Sequence, residues 1–205
     1  HFATPTRQIP NFAKNGTKGE ERELILELKM LADVGLIGMP SVGKSSLLAR
    51  ISAARPKIAA YHFTTLSPNL GVVKTGEGAG FVAADIPGLI EGAADGAGLG
   101  HKFLRHVERC RLLLHVVDIY GSEGRDPAGD VRVIDAELAR YSAELAKRPQ
   151  VIVANKCDMI DEGDPAVAAF VAEMNQTGRE VLFVSAATGK GLPELVHRVS
   201  ELLAT

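Results

Sequence analysis

The sequence predicts an α/β domain: a six-stranded, mostly parallel sheet with helices on both faces. Three observations predict it. Four short apolar runs each end on a polar signature: Leu36-Ile37, Phe81-Val82-Ala83-Ala84, Val151-Ile152-Val153-Ala154 and Val181-Leu182-Phe183-Val184. From Leu31 onward strand and helix patterns alternate, the rhythm of parallel strands joined by helical crossovers. One glycine-rich turn, Thr75-Gly76-Glu77-Gly78-Ala79-Gly80, lies between two strand-like runs and makes an antiparallel hairpin.

Taken in order, residues 1–19 carry Pro5, Pro10, Gly16 and Gly19 with little periodicity, and Leu24, Leu26 and Leu28 then alternate on one face of an extended segment. A lone strand is unstable, so residues 1–30 either dock on the main domain, 31–205, or are the end of a preceding domain, with the second reading favoured. The chain opens on His1, as an excised fragment would. The first strand is expected over 32–37. A helix follows over 44–54, with Leu47, Leu48 and Ile51 facing inward and Pro56 stopping it. Strands are expected at 70–74 and 81–85 around the hairpin, then at 112–117, 151–154 and 181–184. Asp130 is the expected N-cap of a helix bearing Val131, Ile134, Leu138, Tyr141 and Leu145; Asp164-Pro165 opens another in the cap-then-proline order, and 193–203 is the last.

Composition narrows the function classes. Lys+Arg 23 against Asp+Glu 25 gives a formal charge of -2, so no global field draws the chain to nucleic acid or an anionic membrane. Cys110 and Cys157 show neither metal spacing nor a disulfide framework, which fits a reducing, cytoplasmic setting. No apolar stretch approaches the length of a membrane span.

The signatures at the strand ends carry the chemistry, because parallel sheets bind ligands just beyond the carboxyl ends of their strands. Gly38, Gly43, Lys44 and Ser45 satisfy G-x-x-x-x-G-K-[ST] between a strand and a helix. The segment Gly38-Met39-Pro40-Ser41-Val42-Gly43-Lys44-Ser45-Ser46 therefore reads as a phosphate loop, with Lys44 bridging β- and γ-phosphates and Ser45 ligating Mg2+. Phe63-Thr64-Thr65-Leu66-Ser67 is the expected γ-phosphate sensor; Thr65 is its magnesium ligand, with Thr64 in reserve. In Asp85-Ile86-Pro87-Gly88, Asp85 holds Mg2+ through water and the Gly88 amide bonds the γ-phosphate. Lys44, Thr65 and Gly88 make up the expected catalytic set. The five glycines between Gly88 and Gly100 suit a segment that orders in one nucleotide state.

Asn155-Lys156-Cys157-Asp158 selects guanine. The acceptor-only Asp158 carboxylate matches the N1-H and N2-H donors of guanine and is mismatched to adenine. Asn155 either reaches O6/N7 or ties this loop to the phosphate loop, and Lys156 lays its stem over the ring. In Ser185-Ala186-Ala187, the Ala186 amide donates to O6. GTP and GDP are the ligands this set accommodates. Leu89 follows D-x-x-G where Ras-type enzymes carry a water-orienting Gln, and no Arg is placed in cis, so slow unassisted turnover is expected.

The segments ELKMLADVGLIGMPSVGKSSLL, ISAARPKIAAYHFTTLSPNLGVV, ADIPGLIEGA and GLGHKFLRHVERCRLLLHVVD together resemble the Obg family of translation-associated GTPases. The opening FATPTRQIPNFAKNGTKGEERELILELK resembles the end of the glycine-rich domain that precedes the G domain there. The resemblance implies a Ras-like P-loop fold, GTP hydrolysis, a role in assembling the large ribosomal subunit, a part in stress or growth control, and sensitivity to guanosine tetraphosphate. Two positions depart from the family pattern: Tyr61-His62 replaces the usual Tyr-Pro, and Ser41 stands where potassium-activated relatives carry Asn. Asn155-Lys156-Cys157-Asp158 argues against the related ATPases. An alternative reading is a nucleotide-sensing binding module whose hydrolysis is incidental. Lys102, Arg105, His106 and Arg109 recur on one helical face, either as a phosphate-binding ridge for ribosomal RNA or as a solvated surface.

Overall fold

The computed structural model describes residues 15–24, 32–58, 68–76, 80–86, 107–161 and 163–204. Residues 15–24 carry no regular element, and the expected strand around Leu26 and Leu28 lies outside the described residues. Among the described residues the sheet has seven strands, in the order β2-β3-β4-β1-β5-β6-β7. Six are the expected ones: β1 (Val34–Ile37), β3 (Asn69–Val73), β4 (Phe81–Asp85), β5 (Leu112–Asp118), β6 (Gln150–Asn155) and β7 (Val181–Phe183). The seventh, β2 (Lys57–Ile58), is a two-residue edge strand antiparallel to β3, too short to leave a periodicity in the sequence. The β3–β4 hairpin is antiparallel as expected, and the pairs from β4 through β1, β5 and β6 to β7 are all parallel.

Strand alternation sorts the core onto two faces. Leu36, Leu114, Val116 and Val153 turn to one face and pack with Leu47 and Leu48 of α1 (Lys44–Ile51) and Leu195 and Val199 of α5 (Leu192–Ala204). On the other face, Ile37 and Leu113 pack with Ile134 and Leu138 of α2 (Pro127–Tyr141) and Leu145 of α3 (Ala143–Ala146). Beside them Val117 and Ile152 meet Phe170 and Met174 of α4 (Pro165–Gln176). Each fully buried Leu or Ile removes enough apolar surface from water to contribute about 1.5–3 kcal/mol, so the two faces together hold the sheet rigid under the site.

The end of α1 and the start of α2 differ from expectation for identifiable reasons. α1 stops at Ile51, three residues early: Ser52 is extended, its hydroxyl and amide both bond Leu48 O, and the Ala53 amide pairs with Val72 O. The chain thus leaves the helix to join β3 before Pro56 is reached. α2 is capped by Asp126, not Asp130: the Asp126 carboxylate accepts from the Ala128 and Gly129 amides and Pro127 occupies N1. The Asp164-Pro165 cap of α4 is as expected, with Asp164 accepting from the Ala166 amide at 2.8 Å.

Candidate nucleotide site

β1, β4, β5 and β6 deliver their carboxyl ends to one edge of the sheet, and the registers Leu36↔Asp85, Ile37↔His115 and Asp118↔Asn155 set the polar signatures side by side. The phosphate loop leaves β1 through a chain of left-handed backbone: Gly38 at φ 144, Ser41 at φ 63 and Gly43 at φ 97. Glycine is required at two of these. A Cβ on Gly38 would lie 2.2 Å from Val116 O, and one on Gly43 would lie 2.3 Å from Asn155 Nδ2. Met39 anchors the loop by packing against both faces of the core, while Pro40 and Ser46 are exposed.

At the loop's far end the Lys44 ammonium donates to Gly38 O and Met39 O, each at 2.9 Å. Burial lowers its pKa, and the Asp85 charge opposes that shift. Ser45 Oγ donates to Asp85 Oδ2 at 2.5 Å. Asp85 is buried, and its second oxygen, Oδ1, has no hydrogen-bond partner among the described residues. An orphaned carboxylate oxygen beside a hydroxyl at the edge of a phosphate loop is a hard-oxygen donor set. It suits a cation that takes one carboxylate, with phosphate and water completing the shell. Ile86 has its side chain in the core with Ile37 and Ile134, so only its backbone is available to a ligand.

The base end is built around Asn155. Its Nδ2 donates to Val42 O at 2.8 Å and its Oδ1 accepts from the Ala186 amide at 3.0 Å. Of the two roles open to Asn155, the structure carries the tie to the phosphate loop. The same contact engages the Ala186 N–H that was expected to face O6. Lys156 adopts φ 65, and its ammonium donates to Asp118 Oδ2 at 2.7 Å and Ser122 Oγ at 2.9 Å. Burial opposes the charge on Asp118, but the hydrogen bonds from Lys156 and Ser122 outweigh it and hold the carboxyl below its usual range. The Cys157 thiol is buried, which pushes its pKa up, and its amide bonds Val184 O. Asp158 is exposed, with no hydrogen-bond or ion-pair partner among the described residues. Ser185 is buried, its Oγ accepting from the Thr188 amide, and Ala187 is exposed.

The structure therefore brings 38–46, 85–86, 155–158 and 185–187 to one edge. Phe63, Thr64, Thr65, Leu66, Ser67, Pro87, Gly88, Leu89, Lys102, Arg105 and His106 lie outside the described residues; Arg109 is half-buried beside Cys110. Sequence reasoning missed Asp118, Ser122 and Arg50. Asp118 ends β5 as Asp85 ends β4, a signal the pattern did contain.

A family model described as "50S ribosome-binding GTPase" matches residues 33–156. The chain belongs to that family. Within it, the chain is similar to the GTPase Obg proteins. The chain is 60% identical over 205 residues to GTPase Obg of Ruminiclostridium cellulolyticum, covering 100% of this chain and 48% of that protein. It is 56% identical over 203 residues to GTPase Obg of Clostridioides difficile, covering 99% and 48%. It thus spans about half the length of these relatives. Among solved structures, the G domain of the T. maritima FeoB iron transporter superposes with TM-score 0.63 at 22% identity, covering 84% of this chain and 98% of that one. A single-site variant of Aquifex aeolicus Era, bound to GDP·AlF4-, gives TM-score 0.59 at 23% identity, covering 84% and 56%. These likenesses establish a shared Ras-like fold. Among the described residues, no helix is long and apolar enough to cross a membrane.

Proposed function

We propose that this Obg-type G domain binds GTP and GDP with Mg2+ and hydrolyses GTP slowly, as a cytoplasmic switch within a longer protein. The observation that carries the reading is Asn155, whose two hydrogen bonds join the phosphate loop, the guanine-selecting loop and the 185–187 loop into one cradle. Lys44 and the Ser45–Asp85 pair stand at the phosphate end and the unpartnered Asp158 carboxylate at the base end.

When bound, Mg2+ neutralises charge developing on the β- and γ-phosphate oxygens. Ser45 Oγ and Asp85 would hold it, with Thr65 as a further ligand read from the sequence. Lys44, already desolvated and caged by carbonyls, exchanges those acceptors for phosphate oxygens. Water attacks the γ-phosphorus, the bond to the β–γ bridging oxygen breaks, and GDP and phosphate result. Gly88 would donate its amide to the γ-phosphate. Leu89, apolar, contributes no group to orient the water, so turnover without a partner is slow. Residues 1–30 would then be the tail of a preceding glycine-rich domain and 31–205 the G domain. Membership of a family of 50S ribosome-binding GTPases supports a large ribosomal particle as the partner of the whole protein.

The test is a change of base preference. Asp158→Asn exchanges guanine for xanthine, because an amide N–H can donate to the xanthine O2 where a carboxylate only accepts. Each charge-assisted bond lost to guanine costs about 1.5–3 kcal/mol. Competition between GDP and XDP for the variant, with Mg2+ present, reads it. Unchanged GDP affinity in Asp158→Asn would remove Asp158 from base recognition.

A further inference from the structure

We propose that Arg50 is a positioning residue for guanine recognition, gripping the backbone of the 185–187 loop from the end of α1. Its Nε donates to Ala186 O at 2.9 Å and its Nη2 to Ala187 O at 2.7 Å. The rigid guanidinium fork spans two successive carbonyls, a geometry that a single ammonium does not reproduce.

The opposite side of the same peptide segment is held by Asn155, through the Ala186 amide. With the amide drawn inward and both carbonyls drawn outward, the planes of peptides 185–187 have little rotational freedom left. Held by Arg50 on one side and Asn155 on the other, this loop is fixed beside the guanine-selecting loop. No carboxylate pairs with Arg50 among the described residues, so the carbonyls and the negative end of α1 stabilise its charge. The position within the helix matters too. α1 begins at Lys44 and Ser45 and reaches Arg50 within its last turn, so one rigid helix of roughly 12 Å links the phosphate end to the base end.

Arg50 itself is exposed and lines a surface groove together with Ile51, Leu192 and Val196. Losing its donors should therefore leave the core and the melting temperature of the free domain unchanged, while freeing the loop. The inference rests on the reading that this site takes a guanine nucleotide, so the wild-type chain must first bind GDP; failure there would defeat that reading and not this one.

The experiment compares Arg50→Met, which keeps the stem and loses the donors, with Arg50→Lys. Arg50→Met should raise the GDP dissociation constant and the KM for GTP by about tenfold, the worth of one charge-assisted hydrogen bond. Its single-turnover rate at saturating GTP should match the wild type, and Arg50→Lys should recover part of the affinity. Wild-type GDP affinity in Arg50→Met would overturn the proposal. So would a fall in melting temperature in step with the loss of binding, since that would make Arg50 a general support of the fold.

Discussion

Asn155 bonds a carbonyl of the phosphate loop and an amide of the 185–187 loop at once through a single side chain, with 2% of its surface exposed. Its Nδ2 occupies the space a Cβ on Gly43 would need, and Gly43 at φ 97 is already in left-handed backbone. Gly43→Ala therefore combines strain of about 1–2 kcal/mol with displacement of Asn155. A loss of GDP affinity of about tenfold is expected by fluorescent-nucleotide titration, because a displaced Asn155 no longer joins the two loops; an unchanged affinity would mean that Asn155 is not needed where it stands. Several site residues were legible one at a time, since Lys44, Ser45 and Asp85 carry their motif types with them. The partnership of Lys156 with Asp118 was not, because its members belong to different strand ends and meet only through the β5–β6 register. Arg50 was less legible still: its acceptors are backbone carbonyls, which every residue has.

The elements show where local chemistry decides and where it is overruled. Residues 126–130 offer two aspartates as caps for α2, and the proline after Asp126 settles the choice by pre-forming the first helical turn, as Pro165 does after Asp164. Removing the cap by Asp126→Ala orphans the Ala128 and Gly129 amides and should cost about 1 kcal/mol, read as a lowered urea midpoint with an unchanged slope. Nucleotide affinity should hold. α1 and β2 went the other way. The propensity of residues 52–54 allowed more helix, but Ser52 caps Leu48 and Ala53 pairs with Val72, a tertiary contact invisible to periodicity. The expected single helix beyond Asp130 divides at Ser142, whose extended backbone and hydroxyl cap start α3 afresh.

At the scale of the whole molecule, the sheet's α2/α4 face buries one histidine among its apolar strand residues. His115 sits on β5 between Leu113 and Val117, fully buried, with neither ring nitrogen hydrogen-bonded among the described residues. Burial, and then the Arg179 charge, push its pKa down to about 3; Lys44 adds to this, and the neighbouring Gln150 side chain opposes it without closing a bond of normal geometry. Arg179 is itself paired with Asp135 of α2 at 2.7 Å. The unfolded chain takes up the proton near pH 6.5 and the folded one does not, so His115 leaves stability intact above that pH. Below it, stability falls by about 1.4 kcal/mol per pH unit as the pH drops toward 3. Urea unfolding at about pH 7, 6 and 5, spanning the unfolded titration, should show this slope in the wild type and a shallower one in His115→Leu, which should be close to neutral at the highest pH. Equal slopes would assign the acid sensitivity elsewhere. The overall architecture was legible because strand-then-helix repetition leaves few topologies, whereas a lone polar residue in a buried strand announces no partner. The strand order β2-β3-β4-β1-β5-β6-β7 also bears on how the chain survives without ligand. The phosphate loop follows β1 and the guanine-selecting loop follows β6, strands far apart in sequence, so the complete cradle exists only in the folded chain. A nucleotide that engages only the native form adds its full occupancy to the folding equilibrium, about 2.7 kcal/mol at a hundredfold excess over Kd. On the proposed function, guanine nucleotide supply would thus set this domain's lifetime against proteolysis as well as its nucleotide state.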